Sequence, residues 1–456
     1  MSAPLIAETR RRAIALLRHP ARAVALAFAA ATLLGTFLLT MPIASASGAA
    51  TDPFTALFTA VSAVCVTGLV VVDTAGHWST FGEVVILGLI QVGGFGIMTL
   101  ASLLILLVSR RIGLRMQMTA QAETKALGLG EVRKVLLGVI ITSLLVEAVI
   151  AVFLIARFAT GYDKSFGQAV YHGVFHAVSA FNNAGFALYP DSIVRFATDP
   201  FICVPLMIAT ITGGLGFPVL LELARRRKRR GKRWSLHTKI TIPVYFGLLV
   251  FGAGAFLAFE WGNPTTLGPM GTLDKILIGF FHSVQPRTAG FNSIDMAQVH
   301  PSTLLLNDVL MFIGGGSAGT AGGIKVTTFA LLGWVMLAEI RGEPTVHIMG
   351  RKLAGEVQRQ ALTVALLGVG AVMAGTIVLL SITPFRLDDV LFEATSAFAT
   401  VGMSTGITAQ LPVAGQVVLV VLMFMGRLGP ITLASALALR ERARRYELPE
   451  ERPIVG

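Results

Sequence analysis

LFTAVSAVCVTGLV (57–70), VFHAVSAFNNAGFA (174–187), FFHSVQPRTAGFNS (280–293) and LFEATSAFATVGMS (391–404) are four copies of one pattern in a single chain. Aligned, they place Gly68, Gly185, Gly290 and Gly402 in one column, at near-even intervals along the sequence. Self-similarity of this kind marks a supersecondary unit used repeatedly. Four copies predict fourfold pseudosymmetry around a common axis, so the fold is read from the unit outward.

Each copy sits in the same surroundings. An apolar segment precedes it, then a polar turn and a short helix; the glycine motif follows, and a second apolar segment closes the unit. The first apolar helices are expected at 21–43, 134–158, 237–260 and 358–382, and the second at 82–108, 200–224, 303–340 and 413–438. The short helices are expected at 53–64, 166–180, 273–285 and 388–398. These are too short to cross a hydrocarbon core, which needs about 20 residues. The sequence thus predicts an all-α polytopic membrane protein with eight spanning helices and four re-entrant hairpins around a central pore. The second helices carry a repeat of their own, QVGGFGIMT (91–99), ITGGLGFPV (211–219) and FMGRLGPIT (424–432), with IGGGSAGTAGGIK (313–325) as a swollen third version.

Composition agrees. The chain is 54% hydrophobic and only 14% charged, against about 25% charged in a soluble domain, and its mean hydropathy is +0.74. The net charge of +12 is not spread over a surface that would bind nucleic acid. It falls in blocks between apolar runs: Arg10 to Arg12; Arg110, Arg111 and Arg115; RRRKRR at 225–230; Arg351 and Lys352; Arg440, Arg442, Arg444 and Arg445. Basic loops stay in the cytoplasm, so both termini are expected inside. The opposite loops carry Asp52, Asp73, Asp163, Asp191, Asp199, Asp274, Asp295, Asp388 and Asp389 and are expected outside. Asp52, Asp274 and Asp388 are candidate N-caps of short helices. The expected division is a cytoplasmic segment 1–20, repeats at 21–109, 134–224, 237–340 and 358–439, cytoplasmic linkers 110–133, 225–236 and 341–357, and a tail 440–456. The N-terminus resembles a secretory signal, but the first repeat needs that stretch as its helix. Cys65 and Cys203, the only cysteines, give no disulfide framework.

Non-helical backbone persists at membrane depth only when buried in protein or lining a wet path. A half-helix ending at a glycine leaves carbonyls unpaired, and its C-terminus carries partial negative charge. Four such ends on one axis would offer a dehydrated cation a ring of carbonyl oxygens. Close helix packing accounts for one small residue, but not for the same glycine after the same short helix four times. The candidate ion-binding triplets are Val66, Thr67 and Gly68; Asn183, Ala184 and Gly185; Thr288, Ala289 and Gly290; Thr400, Val401 and Gly402. Their first two residues differ between copies, as main-chain coordination permits, and none is a carboxylate.

VTGL (66–69), NNAGF (182–186), RTAGFN (287–292), TVGMSTG (400–406), GGSAGTAGGIK (315–325) and MGRLGP (425–430) resemble the membrane subunits of the Trk/Ktr/HKT superfamily of potassium transporters over about residues 20–440. Trk subunits carry an additional N-terminal helix pair, so the resemblance is greater to the bacterial Ktr membrane subunit. It implies that the four triplets bind potassium. It also implies a homodimer with one pore per subunit, gated by a cytosolic ring of RCK-type subunits that bind ATP/ADP or NAD. Sodium enters as an activator or coupled ion, and no organic cofactor is expected in this chain. In relatives a serine in place of the first filter glycine goes with sodium transport; Gly68 therefore implies potassium, with a sodium-permeable transporter as the alternative.

The stretch Gly314, Gly315, Gly316, Ser317, Gly319, Thr320, Gly322 and Gly323 interrupts an apolar segment, and each glycine disfavours helix by about 1 kcal/mol. The resemblance makes this loop the gate, with Ser317 and Thr320 able to meet ions or water. Its GxGxxG also matches a nucleotide-binding fingerprint, but lacks the preceding strand; a nucleotide-binding membrane enzyme is thus the alternative of another class. Arg427, an arginine at membrane depth, is a functional candidate by default, expected to donate to the gate loop. Lys325 is placed at the cytoplasmic mouth, or snorkelling to the interface. Glu147 is expected to meet a polar partner between helices and Glu393 to bond behind the filter. His172 and His176, spaced i,i+4, read as packing residues rather than a metal pair.

Overall fold

The computed structural model describes residues 20–117, 129–162, 165–228 and 234–439. The N-terminal residues 1–19 and the tail 440–456 lie outside them, as do parts of the linkers 110–133 and 225–236, including the end of the basic run.

Repeat 1 is α1 (Pro20–Thr40), α2 (Pro53–Val64) and α3 (Thr80–Gln117). Repeat 2 is α4 (Leu129–Gly161), α5 (Phe166–Phe181), α6 (Pro200–Leu215) and α7 (Phe217–Lys228). Repeat 3 is α8 (Leu236–Glu260), α9 (Thr272–Val284), α10 (Pro301–Phe312) and α11 (Val326–Ile340). Repeat 4 is α12 (Gly355–Ile382), α13 (Leu387–Ala399) and α14 (Val413–Leu439). Among the described residues α4 (from Leu136), α8 and α12 are each long and apolar enough to cross a membrane, and α6 with α7 makes a fourth, bent span. The chain is an all-α polytopic membrane protein of four helix–short helix–helix units.

The short helices form the centre. Phe58, Val61 and Val64 of α2, Phe175 and Phe181 of α5, Ile278 and Phe281 of α9, and Val390 and Phe392 of α13 are buried. The outer helices instead expose Leu33, Phe37, Phe153, Val250, Leu366 and Ile377, as lipid-facing surfaces do. The units lock in a closed circle. The second helix of each packs on the short helix of the next: α3 on α5, α6 on α9, α10 on α13, and α14 back on α2.

The second helix of repeat 2, expected unbroken over 200–224, breaks at Gly216 and turns by 101°. Gly216 has φ +92°, a region glycine enters without steric penalty. Pro218 then sits in the first turn of α7, where its missing N–H is not needed. Of the candidate N-caps, Asp52 accepts from the Phe54 and Thr55 amides at 3.0 Å each. Asp274 and Asp388 lie inside the first turn instead, with Gly271 and Arg386 at the cap positions; there they still oppose the positive helix end. The linker 341–357 holds a small hairpin, His347–Ile348 against Arg351–Lys352, turned by Met349 and Gly350 at φ +48° and +78°.

Candidate functional site

The four glycines face one another around an axis. A Cβ built on Gly68 would lie 2.3 Å from the Ala184 carbonyl oxygen, on Gly185 2.6 Å from that of Ala289, on Gly290 2.0 Å from that of Val401, and on Gly402 2.1 Å from that of Thr67. Each triplet thus touches the next and the fourth touches the first. No side chain fits between them.

The backbone alternates in hand. Val66, Asn183, Thr288 and Thr400 have φ of +56°, +60°, +77° and +51°, and the glycines two residues on have +90°, +69°, +72° and +91°. Thr67, Ala184, Ala289 and Val401 between them do not have positive φ. Alternating hands turn successive carbonyls to the same side of the strand, and the N–H groups to the other. Those N–H groups are tied back to the short helices. The Thr67 amide donates to Ser62 O at 2.7 Å, that of Ala184 to Ser179 O at 2.8 Å, that of Val401 to Ser396 O at 2.9 Å and that of Ala289 to Gln285 O at 3.0 Å. No donor among the described residues reaches the carbonyl oxygens of the twelve triplet residues.

Several supporting residues escaped the sequence analysis. Ser62, Ser179 and Ser396 stand six positions before their glycines. The hydroxyls of Ser62 and Ser396 accept from the Gly68 and Gly402 amides at 3.1 Å each, and that of Ser179 donates to Phe186 O at 2.8 Å. Repeat 3 has Val284 in that column; Gln285 substitutes, its Oε1 accepting from the Phe291 amide at 3.2 Å. The repeated serine was visible in the alignment as the signal. The second-helix glycines serve the same end. A Cβ on Gly93, Gly213 or Gly426 would lie 2.0, 1.9 or 1.5 Å from the carbonyl oxygen of Val64, Phe181 or Phe398, the fourth residue before each filter glycine.

Two buried carboxylates brace the ring from behind. Glu147 on α4 accepts from Gln91 Nε2 at 3.0 Å and Asn182 Nδ2 at 3.1 Å. Glu393, fully buried on α13, accepts from Ser404 Oγ and from Thr408 Oγ1 at 2.9 Å, holding the strand that leaves Gly402. Glu393→Ala removes the shared acceptor of both hydroxyls. It is expected to lower stability by about 2 kcal/mol, the usual effect of orphaning buried donors, with Glu393→Gln milder; thermal unfolding in detergent checks this. His176 Nδ1 bonds the His172 carbonyl at 2.7 Å and Nε2 meets the Leu188 amide at 3.3 Å. No group of three metal-ligating side chains occurs among the described residues. Cys65 and Cys203 are buried free thiols.

On one side of the glycines opens a cavity of about 560 Å³, lined by all four of them and by Asp73, Asp191 and Asp295. On the other side lies the loop 313–325. Its ends meet where the Gly314 amide donates to Ile324 O at 2.9 Å, and it rests on the break in repeat 2, with the Gly316 amide on Gly214 O at 2.7 Å and the Phe217 amide on Ala318 O at 3.1 Å. Arg427, buried, donates through Nη1 to the Thr320 carbonyl oxygen. Arg287, fully buried and unremarked in the sequence, donates through Nη1 to Ile313 O at 3.1 Å. Of the loop hydroxyls expected to meet ions or water, Ser317 Oγ pairs with Thr327 Oγ1 at 3.0 Å, and Thr320 Oγ1 donates to Asn183 Oδ1 at 3.0 Å and approaches Phe181 O at 3.4 Å. Lys325 folds back rather than snorkelling, its Nζ on Ala321 O at 2.5 Å and Gly322 O at 3.4 Å. The GxGxxG glycines follow a helix, α10, not a strand.

The family model TrkH, a cation transport protein, matches residues 4–443. Ktr system potassium uptake protein B of Bacillus subtilis (strain 168) is 38% identical over 430 residues, covering 93% of this chain and 94% of that protein. Potassium/sodium uptake protein NtpJ of Enterococcus hirae is 34% identical over 444 residues, covering 96% and 97%. The crystal structure of the potassium transporter TrkH from Vibrio parahaemolyticus superimposes with a TM-score of 0.67 over 89% of this chain and 83% of that one, at 17% identity, a likeness of fold. With a family match over nearly its whole length and relatives above 30% identity along almost all of it, the chain belongs to the TrkH family of cation transport proteins.

Proposed function

We propose that this chain takes up potassium across the cell membrane as the ion-translocating subunit of a Ktr-like system. One observation carries the reading: twelve carbonyls in a closed ring of four triplets, with no donor among the described residues. A buried carbonyl without a partner is disfavoured by about 1–3 kcal/mol. A dehydrated cation on the axis would satisfy several at once, with oxygens in place of its hydration shell. Val66, Thr67, Gly68 and their counterparts are the filter. Asp73 and Asp295 give the outer cavity negative charge, which concentrates cations, whereas Asp191 is paired with Arg195 at 2.7 Å.

The loop Gly314–Gly323 is the gate. It is rich in glycine, hence able to change conformation at small energetic cost, and Arg427 holds its middle. A cytosolic RCK-type ring that binds ATP/ADP or NAD would move it, with the basic linkers and both termini on that side and a homodimer as the membrane assembly. The printed names of relatives include both potassium and potassium/sodium uptake, so sodium, as coupled ion or substrate, is the second reading. Nucleotide binding at 314–319 is not favoured, since Gly315, Gly316 and Gly319 pack on Gly213 to Gly216 and Gly314 on Gly322.

Rubidium uptake into proteoliposomes holding the purified chain, with and without the cytosolic partner, tests the reading. Potassium is expected to compete and sodium not to. Gly68→Ser, with its added Cβ 2.3 Å from Ala184 O, is expected to lower uptake sharply and, in the uptake that remains, to bring sodium competition up to the level of potassium. Equal competition by sodium in the wild type would sink the assignment of potassium.

A further inference from the structure

We propose that Asn183 and Thr320 form a bridge that makes ion selectivity depend on the state of the loop 313–325. The proposal rests on the filter-and-gate reading above.

Asn183 plays two parts at once. Its main chain belongs to the second triplet. Its side chain, fully buried, spans three elements: Nδ2 donates to Arg287 O at 3.2 Å and meets Thr288 Oγ1 at 3.4 Å, while Oδ1 accepts from Thr320 Oγ1 at 3.0 Å. Nδ2 thereby ties the second triplet to the start of the third, and Oδ1 ties both to the loop. Thr320 is itself fixed on the loop side, its carbonyl taken by Arg427 Nη1 and its amide by Gly213 O at 3.2 Å. Gly213 gives the junction its room, since a Cβ there would lie 2.9 Å from both Asn183 Oδ1 and Thr320 Oγ1. A second strut runs parallel: Arg287, one residue before the third triplet, reaches Ile313 O where the loop begins.

A loop that swings aside to pass ions must take Thr320 with it. Asn183 Oδ1 then loses its donor, and the amide plane that spaces the second and third triplets is freed to turn. The carbonyl spacing that separates potassium from the smaller sodium ion therefore relaxes when the loop leaves, and tightens when it returns. The competing account is that asparagine occupies position 183 only because it tolerates φ +60°, as asparagine does better than most residues. The two accounts part at Asn183→Gly, which suits the backbone better and removes the bridge.

The test is competition by potassium and by sodium for rubidium binding to the purified chain without its cytosolic partner, where the loop stays in place, for wild type, Thr320→Val, Thr320→Ser, Asn183→Gly and the Thr320→Val/Asn183→Gly double variant. Loss of one buried hydrogen bond should raise the relative potency of sodium about fivefold in Thr320→Val. Asn183→Gly, which also loses the Nδ2 contacts to Arg287 O and Thr288 Oγ1, is expected to do at least as much, Thr320→Ser to stay near wild type, and the double variant to match the larger single effect, because the bond between Thr320 Oγ1 and Asn183 Oδ1 is already lost in either single variant. Asn183→Gly probes the same bond from the filter side should Thr320→Val not fold. Wild-type selectivity retained in Asn183→Gly or in a folded Thr320→Val, or additive effects in the double variant, would overturn the bridge and leave the filter reading intact. Wild-type rubidium binding that potassium does not compete would overturn both.

Discussion

Gly290→Ala is expected to abolish potassium-competed rubidium uptake. Two effects combine at this position. Gly290 has φ +72°, where an L side chain meets its own backbone at about 1–2 kcal/mol. More important, the new methyl would lie 2.0 Å from Val401 O and 3.1 Å from the Gly402 Cα, so the fourth triplet must retreat by more than 1 Å. It has nowhere to go. Gly402 already closes on Thr67 O, and the first triplet on the second, so displacement passes round the ring instead of being absorbed. Misplacing a coordinating group by 1 Å commonly reduces function about a hundredfold, and uptake should fall at least that far. Gly88→Ala, where an added Cβ meets nothing within 4 Å, is the control. Uptake by Gly290→Ala within a few-fold of wild type would mean that ions do not pass this ring.

Gly426→Ala should be as damaging by a different route. Its Cβ would lie 1.5 Å from Phe398 O and 2.6 Å from the carbonyl carbon, inside any non-bonded contact. Both partners are backbone, so no rotamer change relieves the clash; either α14 moves out or the end of α13 moves up. Overpacking a close-packed interior destabilises by about 1–3 kcal/mol and sometimes more. Here the displaced carbonyl stands four residues before Gly402 and fixes where the fourth triplet starts. The expected result is a lowered unfolding temperature in detergent together with lost uptake, whereas Gly290→Ala should lose uptake with a smaller change in stability. If Gly426→Ala melts and transports like wild type, α14 does not support the filter in this way.

Much of this was legible before any coordinates. Hydropathy and the repeated glycine placed most helix ends within a few residues, because burial in lipid and termination of a short helix are both written locally; the second helix of repeat 1 runs on to Gln117, past its expected end at 108. Glu147 and Glu393 stood out as carboxylates at membrane depth, and Arg427 as an arginine there. The break at Gly216 was missed since its neighbour motif, QVGGFG, lies in an unbroken helix; only Pro218, overlooked, distinguishes the two. Arg287 was passed over because it stands inside a recognised motif, and the bond from Thr320 to Asn183 was not foreseen because a small hydroxyl residue in a glycine loop carries no mark of its partner.

The sequence by itself determined that four equivalent units each end a short helix shortly before a glycine inside a membrane. Composition, hydropathy and spacing suffice for that. Only the tertiary structure decided that Gly68 faces Ala184, Gly185 faces Ala289, Gly290 faces Val401 and Gly402 returns to Thr67, and that Asn183 rather than another filter residue reaches the loop. Those are distances between residues far apart along the chain. They are set by closing a ring of packed helices, and no local pattern of residues encodes how a ring closes.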